Sequence, residues 1–410
     1  MIFNQSQNAK TNSCLRFAYV NQIPFHIPYK TKESFGSIDP EQLETSFYHS
    51  KLRQYFEAMG YQNHFLVDSC TRALEIGVYC LKLERHDEVI VPAYGYVSTA
   101  NVFAKVGAKL IFADSQENHP NISIESVESL INSNTKAVVA IHYGGYSNEI
   151  AELRKLCDAH NLILIEDNAH GIGAKHGEKY LGTFGHLSAL SFHETKNIHC
   201  FTGGLLAVND QRFLTKATEY FYKGTNRADF KRGDVPYYEW TGNGNSCEMN
   251  VMANAFLAQQ IDLLPEVNQK RLKIWNTYQK AFEGKDWNII ADEIAHSQIQ
   301  GHSGLDPESF GLNQQTLNQV QGDVNMVQHN AHIYPICFGS ESERLKAEGI
   351  LKAKGIAAYT HYHSLNRTKF GKQFGEFETP NADKFTKGLL RLPIYPDLDF
   401  ERVIDALNKV

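Results

Sequence analysis

The sequence predicts an α/β protein with a mainly parallel sheet of seven strands and a smaller α/β unit at the C-terminus. Seven short runs, most of them nearly continuous in Val, Ile, Leu and Ala, lie between residues 64 and 209. That is the pattern of strands buried on both faces. Longer stretches of helical spacing alternate with them, as crossovers between parallel strands require. The chain has 410 residues, 42% hydrophobic and 21% charged, enough to bury one large core or two of ordinary size.

The elements follow in order. HFLVD (64–68) is the first strand and TRALEIGVYCLKL (71–83) the first helix; EVIVPA (88–93), KLIFAD (109–114) and KAVVAIHY (136–143) are the next strands. NEIAELRKLCDAHN (148–161) has helical spacing and leads to LILIED (162–167), LSALSFH (187–193) and GLLAVN (204–209). Beyond residue 210 a basic, aromatic stretch (221–240) runs into a long helical segment from about Met249 to Phe282. That segment is expected to bridge two domains, 1–255 and 256–410. Residues 296–330, rich in Gln, Asn, Gly and His, read as a surface insertion. AHIYPI, GIAAYTHYH and GLLRLPIYPDLD then return to the mixed pattern of a small α/β domain.

Composition excludes several function classes. The net charge is -6 and no cluster of Lys and Arg appears, so a general nucleic-acid surface is not expected. The seven cysteines are scattered and odd in number, without a CxxC pair. This fits reduced thiols in a cytoplasm, not a zinc site or a disulfide framework. No apolar run approaches the roughly 18 residues needed to cross a bilayer, so neither secretion nor membrane insertion is expected.

In an open parallel sheet ligands bind beyond the carboxyl ends of the strands. Ser69, Cys70 and Thr71 follow the first strand and open a helix, which makes either a phosphate site or an ordinary N-cap. Tyr94 and Tyr96 follow the second and offer an aromatic face, or simple packing. Asp167 ends a buried strand, where a carboxylate needs a positive partner such as a protonated ring nitrogen, unless it caps a turn. GIGAKHG (171–177) has the wrong spacing for a dinucleotide site. Lys196 lies five residues past Ser191; in a poorly solvated cleft its pKa falls and it becomes a nucleophile toward an aldehyde. Phosphate site, aromatic face, carboxylate and lysine in that chain order suit pyridoxal phosphate, with Asp167 keeping the pyridinium nitrogen protonated. His361 and His363 would share one face of a strand, but no third ligand stands near them, so packing or substrate contact is expected and no metal.

SCTRALE (69–75), DEVIVPAYGYVSTAN (87–101), KLIFAD, IHYGG (141–145), IEDNAHG (165–171), SFHETKN (191–197), KGTNR (223–227) and GLLRLPIY (388–395) occur in order along the chain. Through them the sequence resembles the DegT/StrS-like nucleotide-sugar aminotransferases of pyridoxal-phosphate fold type I, most nearly the dTDP-4-amino-4,6-dideoxygalactose transaminases. The resemblance implies a homodimeric, cytoplasmic enzyme that takes an amino group from L-glutamate. The acceptor is a keto carbon, C4, of a nucleotide-linked sugar such as a dTDP-4-keto-6-deoxyhexose, for surface polysaccharide or glycoside biosynthesis. It implies that Lys196 binds the cofactor aldehyde and shuttles a proton, and that Asp167 pairs with the ring nitrogen. His170 lies near the phenolic oxygen and Tyr96 stacks on the ring. Ser191 and Thr71, with Ser69, Cys70 and the backbone at Arg72, contact the phosphate. Asn226 and Ser246 reach the neighbouring subunit's cofactor, and His361, Tyr362 and Asn366 face the substrate.

The sequence departs from the family pattern at Phe201-Thr202, where a small residue and a carboxylate are usual, at Arg72, usually small, at Ser364-Leu365-Asn366 and in NSCEMNVMANA. Two further readings stay open. One is sugar dehydration on the same fold, whose members carry His at the place of Lys196. The other is a sugar-nucleotide binding homologue in which Phe201, Thr202 and Arg72 have ended turnover.

Overall fold

The computed structural model describes residues 22–43, 46–300 and 327–409. All seven expected strands are present in one sheet: β1 (His64–Val67), β2 (Glu88–Pro92), β3 (Lys109–Ala113), β4 (Thr135–Ile141), β5 (Ile163–Asp167), β6 (Leu187–Ser191) and β7 (Gly204–Val208). Their order is β1-β7-β6-β5-β4-β2-β3, and β7 alone runs against the rest. This is the fold predicted. The apolar run 136–143 overshoots β4 by two residues, because His142 and Tyr143 leave the sheet for a 3₁₀ turn, Tyr143–Gly145.

The apolar runs are continuous because both faces of the sheet are covered. Along β2 all five residues are buried. Val89 and Val91 pack on one side with α1 (Cys70–Leu81) and α2 (Val97–Lys105), and Ile90 on the other with α3 (Ile150–Ala159). Each fully buried Val, Leu or Ile contributes about 1.5–3 kcal/mol of transfer free energy. A polar residue within any of these strands would therefore be conspicuous.

The helical run 249–282 is broken into α4 (Val251–Gln260) and α5 (Leu264–Phe282), with a 3₁₀ turn, Ile261–Leu263, between them. Pro265 explains the break. It lacks an N–H and its ring clashes with the carbonyl four residues back, so it fits only in the first turn of a new helix. The buried face of α5 carries Val267, Arg271, Ile274, Trp275, Tyr278 and Phe282 at helical spacing.

The expected insertion at 296–330 needs correction at both ends. Ile289–Gln300 is a helix, residues 301–326 lie outside the described residues, and His329 and Asn330 are buried. Composition misleads here because the Asn330 side chain is spent on loop backbone, donating to the carbonyls of His170 at 2.7 Å and Ile172 at 2.9 Å.

The C-terminal part contains a two-stranded antiparallel sheet, β8 (Tyr334–Cys337) and β9 (Leu389–Leu392), with helices Glu341–Ala353, α6 (Pro380–Gly388) and Phe400–Leu407. It is fixed to the large sheet at Asp114, just after β3, whose carboxylate accepts from the N–H groups of Asn381 at 3.1 Å and Ala382 at 2.8 Å at the start of α6. Among the described residues no helix is long and apolar enough to cross a membrane, and the six described cysteines are free thiols.

Candidate active site

A cavity of about 520 Å³ lies beyond the carboxyl ends of β1, β5 and β6. Asp167, the last residue of β5, is buried on its wall. One oxygen accepts from Thr99 Oγ1 at 2.6 Å and the other from the Ala169 N–H at 3.2 Å. Burial raises the Asp167 carboxyl above its ordinary range, while these bonds and the Lys196 charge favour the ionised form. A carboxylate so placed gains from a cationic partner inside the cavity.

Lys196 reaches the same cavity from the loop after β6. Loss of hydration lowers its pKa to about 8; Arg391 pushes the same way, and Asp167 opposes. An amine near neutrality is a usable nucleophile and base. The glycine pair that follows has a packing reason. A Cβ at Gly204 would come within 2.5 Å of the Cys70 nitrogen and the Ser69 carbonyl carbon, so only glycine lets β7 lie against the start of α1.

That start supplies a further corner. Ser69 is the N-cap of α1: its Oγ accepts from the Arg72 N–H at 3.2 Å and donates to Asp68 at 3.0 Å. The N-cap reading thus holds for its hydroxyl, which takes the Arg72 N–H, and the N–H groups of Cys70 and Thr71 remain to favour an anion. Thr71 lines the cavity and donates to Ser98 at 3.0 Å, while Cys70 and Ser191 line it beside them.

Three imidazoles form another wall. The ring centroids of His170 and His332 are 4.5 Å apart and those of His170 and His361 5.8 Å. Burial depresses the pKa of each far below its usual value, so all three are neutral. His170 Nδ1 accepts from the Gly144 N–H at 3.2 Å, which leaves its proton on Nε2. Asn197 donates both ways through Nδ2, to Asn268 and to the Asn330 carbonyl, so its Oδ1 must accept from His332 Nδ1 at 2.9 Å.

Tyr96 and Tyr362 stand side by side on the cavity wall, their rings 5.9 Å apart, with Tyr96 half exposed. Tyr94 does not line the cavity; it is buried and donates to the His361 carbonyl.

Four candidates stand outside the cavity of their own chain. The Arg72 guanidinium turns to Glu75 at 2.5 Å and Asp68 at 3.6 Å. Asn366 is buried and donates to Thr379 at 2.8 Å. Asn226 is spent within its own loop, bonding the backbone of Tyr237 and Glu239, and Ser246 is exposed, paired by backbone with Tyr222. His363 is exposed and His361–Ser364 is not a strand, so the two histidines share no face. Phe201 also stays out of the cavity, in an aromatic group with Phe35, Phe256 and His199; of the three departures that suggested a closed site, only Thr202 lines it.

Several lining residues escaped the sequence reading. Phe25 and His26 belong to an N-terminal strap whose Ile23 bridges Ile356 and whose His26 donates to the Glu194 carbonyl at 2.8 Å. Arg271 comes from α5 and donates to the carbonyls of Ala331 at 3.0 Å and His332 at 2.6 Å. Arg391 comes from β9 and Thr99 from α2. The only signals for Arg391 and Thr99 were their places within GLLRLPIY and YGYVSTAN.

A model of the DegT/DnrJ/EryC1/StrS aminotransferase family matches residues 42–305 and 308–410. The spore coat polysaccharide biosynthesis protein SpsC of Bacillus subtilis is 26% identical over 400 residues, 95% of this chain and 96% of its own. Among solved structures, Spr1654 of Streptococcus pneumoniae in its PMP form has a TM-score of 0.76 at 21% identity, covering 95% of this chain and 96% of that one. PseC of Helicobacter pylori, an aminotransferase of pseudoaminic acid biosynthesis, has a TM-score of 0.75 at 22% identity, covering 95% and 98%. The predicted fold class and the match along nearly the whole chain agree: this protein belongs to the DegT/DnrJ/EryC1/StrS aminotransferase family.

Proposed function

We propose that the protein is a pyridoxal-phosphate-dependent aminotransferase. It moves an amino group from L-glutamate to a keto carbon, C4, of a nucleotide-linked sugar such as a dTDP-4-keto-6-deoxyhexose, for polysaccharide or glycoside assembly. One observation carries the reading: a lysine amine with its pKa lowered to about 8 shares a cavity with a buried carboxylate, Asp167. The PMP form of Spr1654 supports the cofactor, and the polysaccharide and pseudoaminic acid roles of SpsC and PseC support a sugar acceptor.

The residues fit the cofactor. The start of α1 with Thr71 and Ser191 suits its phosphate, Asp167 its ring nitrogen, Tyr96 a ring face and Lys196 its aldehyde. When bound, pyridoxal phosphate supplies an electron sink for the pair left on the amine-bearing carbon. With the cofactor held there, Lys196 Nζ would be the base that takes and holds the proton from the amine-bearing carbon of the donor, and the acid that would give a proton to the sugar carbon in the second half. Asp167, oriented by Thr99, holds a proton on the ring nitrogen. His170 offers its Nε2–H as a neutral donor.

The same reading divides the chain into a large domain, 1–255, and a small one, 256–410, and places it in the cytoplasm as a homodimer. Asn226 and Ser246 then serve the neighbour's site. Their lack of a role in their own cavity and the exposure of Tyr237 and Trp240 nearby support this.

The test is the absorbance of the purified protein with added pyridoxal phosphate, before and after L-glutamate. A visible band that fades with L-glutamate, and is absent in K196A, is the expected result. A wild-type protein that stays colourless with the cofactor overturns the reading.

A further inference from the structure

The N-terminal strap beside the cavity is tied down at both ends. The Ile23 N–H donates to the Gly355 carbonyl at 2.7 Å, and its own carbonyl accepts from the Ala357 N–H at 2.9 Å. Further on, Tyr29 is buried; its carbonyl accepts from Gln260, the last residue of α4, at 3.0 Å, and its hydroxyl donates to Glu266 of α5 at 2.6 Å. Pro24 and Pro28 restrict the stretch between. Each fixes its own φ, lacks an N–H and biases the isoleucine before it away from helix. A span so constrained holds its two central rings, Phe25 and His26, in place at little cost in chain entropy. Both line the cavity. Phe25 lies over the Arg391 guanidinium at 4.4 Å, with its ring edge-on to Tyr359 at 5.2 Å. His26 Nε2 donates to the Glu194 carbonyl at 2.8 Å. Among the described residues, this is the one hydrogen bond that reaches the backbone of 193–196 from outside residues 191–203.

We propose that Phe25 and His26 are positioning residues of Lys196: the strap keeps water from the amine and holds the loop that carries it. Loss of hydration is what lowers the Lys196 pKa to about 8. That condition lasts only while the cavity is closed, and over Arg391 of β9 the cover is the Phe25 ring. The other titratable groups around the amine are Cys70 of α1, Asp167 of β5, Arg391 and the neutral His170, His332 and His361. None of them belongs to the strap, so strap variants alter hydration and leave the charges in place. His26 acts on the backbone instead. Burial lowers its own pKa to about 4, with Arg271, His199 and His193 pushing the same way, so it donates as a neutral ring. Its hold on the Glu194 carbonyl, two residues before Lys196, sets where the lysine side chain leaves the loop. The link from this role to catalysis rests on the aminotransferase reading; the drying and the tether do not.

The experiment compares full-length wild type, F25A, H26A and H26Q. Lys196 is titrated in two ways: by capture of pyridoxal phosphate under borohydride, and by labelling of the cofactor-free protein with fluorodinitrobenzene, located by peptide mass spectrometry. In F25A water returns to the amine and its pKa rises toward the ordinary lysine value. Labelling and capture at pH 7 then fall roughly 10-fold and level off at a higher pH than in wild type. If F25A does not fold, F25L, a smaller cover, shows the same shift in lesser degree. In H26A the pH profile moves little, while kcat of both half-reactions falls on the order of 10-fold and KM for L-glutamate changes less. H26Q, whose amide can still donate to the Glu194 carbonyl, recovers most of that loss. A profile in F25A or F25L identical to wild type overturns the drying role. An H26A that matches wild type, or an H26Q as slow as H26A, overturns the tether. A wild type whose Lys196 labels with the strap-dependent profile, yet neither captures the cofactor nor reacts with L-glutamate, overturns the aminotransferase reading instead and leaves the strap's hold on the lysine in place.

Discussion

The last two residues of β5 are both carboxylates, and they face opposite sides of the sheet. On the side of α3, Glu166 is fully enclosed and its oxygens accept from His142 Nε2 and the N–H groups of Gly182 and Phe184, each at 2.8 Å, and from the Gly185 N–H. On the side of α1, Asp167 has two such bonds and an open cavity. The same chemical group thus closes a structure on one face and keeps valence for a ligand on the other. The difference is one of satisfaction, because a carboxylate offers about four acceptor directions and only Glu166 has them filled by the protein.

Variants should separate the two sides. The largest effect belongs to the open side: K196A is expected to lower the donor half-reaction on the order of 10³-fold or more, read by single-turnover absorbance. Its stability should move the other way. The folded-state pKa of about 8 lies below the ordinary 10.5, so the charged lysine costs stability at any pH below 8, and the cost fades as pH rises toward 10.5. Removing it gains on the order of 3 kcal/mol at pH 7 and nothing near pH 10.5, in denaturant titrations at both values. Covalent capture of pyridoxal phosphate by wild type should climb about tenfold per pH unit below 8 and then level off, as a single amine loses its proton. Next comes the closed side: E166A strands His142 and three backbone donors and should cost about 3–5 kcal/mol of stability. D167N should instead lower turnover roughly 100-fold while leaving the denaturation midpoint nearly in place. The smallest effect is T99V, which frees Asp167 from one bond and should reduce turnover about tenfold. If E166A proved stable and D167N unstable, the contrast between the faces would be wrong.

How much of this was legible in the sequence depended on whether the cause was local. The strands were legible because burial on both faces leaves an uninterrupted apolar run, as in EVIVP and ILIED, and that requirement is met within five residues. Asp167, Ser191 and Lys196 were legible because residues just past such runs must lie at the carboxyl edge. Arg391, His332 and the strap at Phe25 arrive from more than a hundred residues away in sequence, and only the closure of the C-terminal sheet and the N-terminal strap over the edge brings them in. The side chain of Arg72 was not legible by position: Glu75, one helical turn on, draws it away from the cavity. Asn330 misled by composition, since a polar residue can be buried wherever loop carbonyls need donors.

The row of histidines has one more consequence. His170, His332 and His361 present polar rings to the cavity yet resist protonation, because burial disfavours their charged forms and Arg391 and Lys196 nearby push the same way. They act as a wall that hydrogen-bonds without buffering. When the surroundings acidify toward pH 6, that wall keeps its donor and acceptor pattern, and whatever changes in binding is written on the ligand or on Lys196, whose pKa is lowered to about 8.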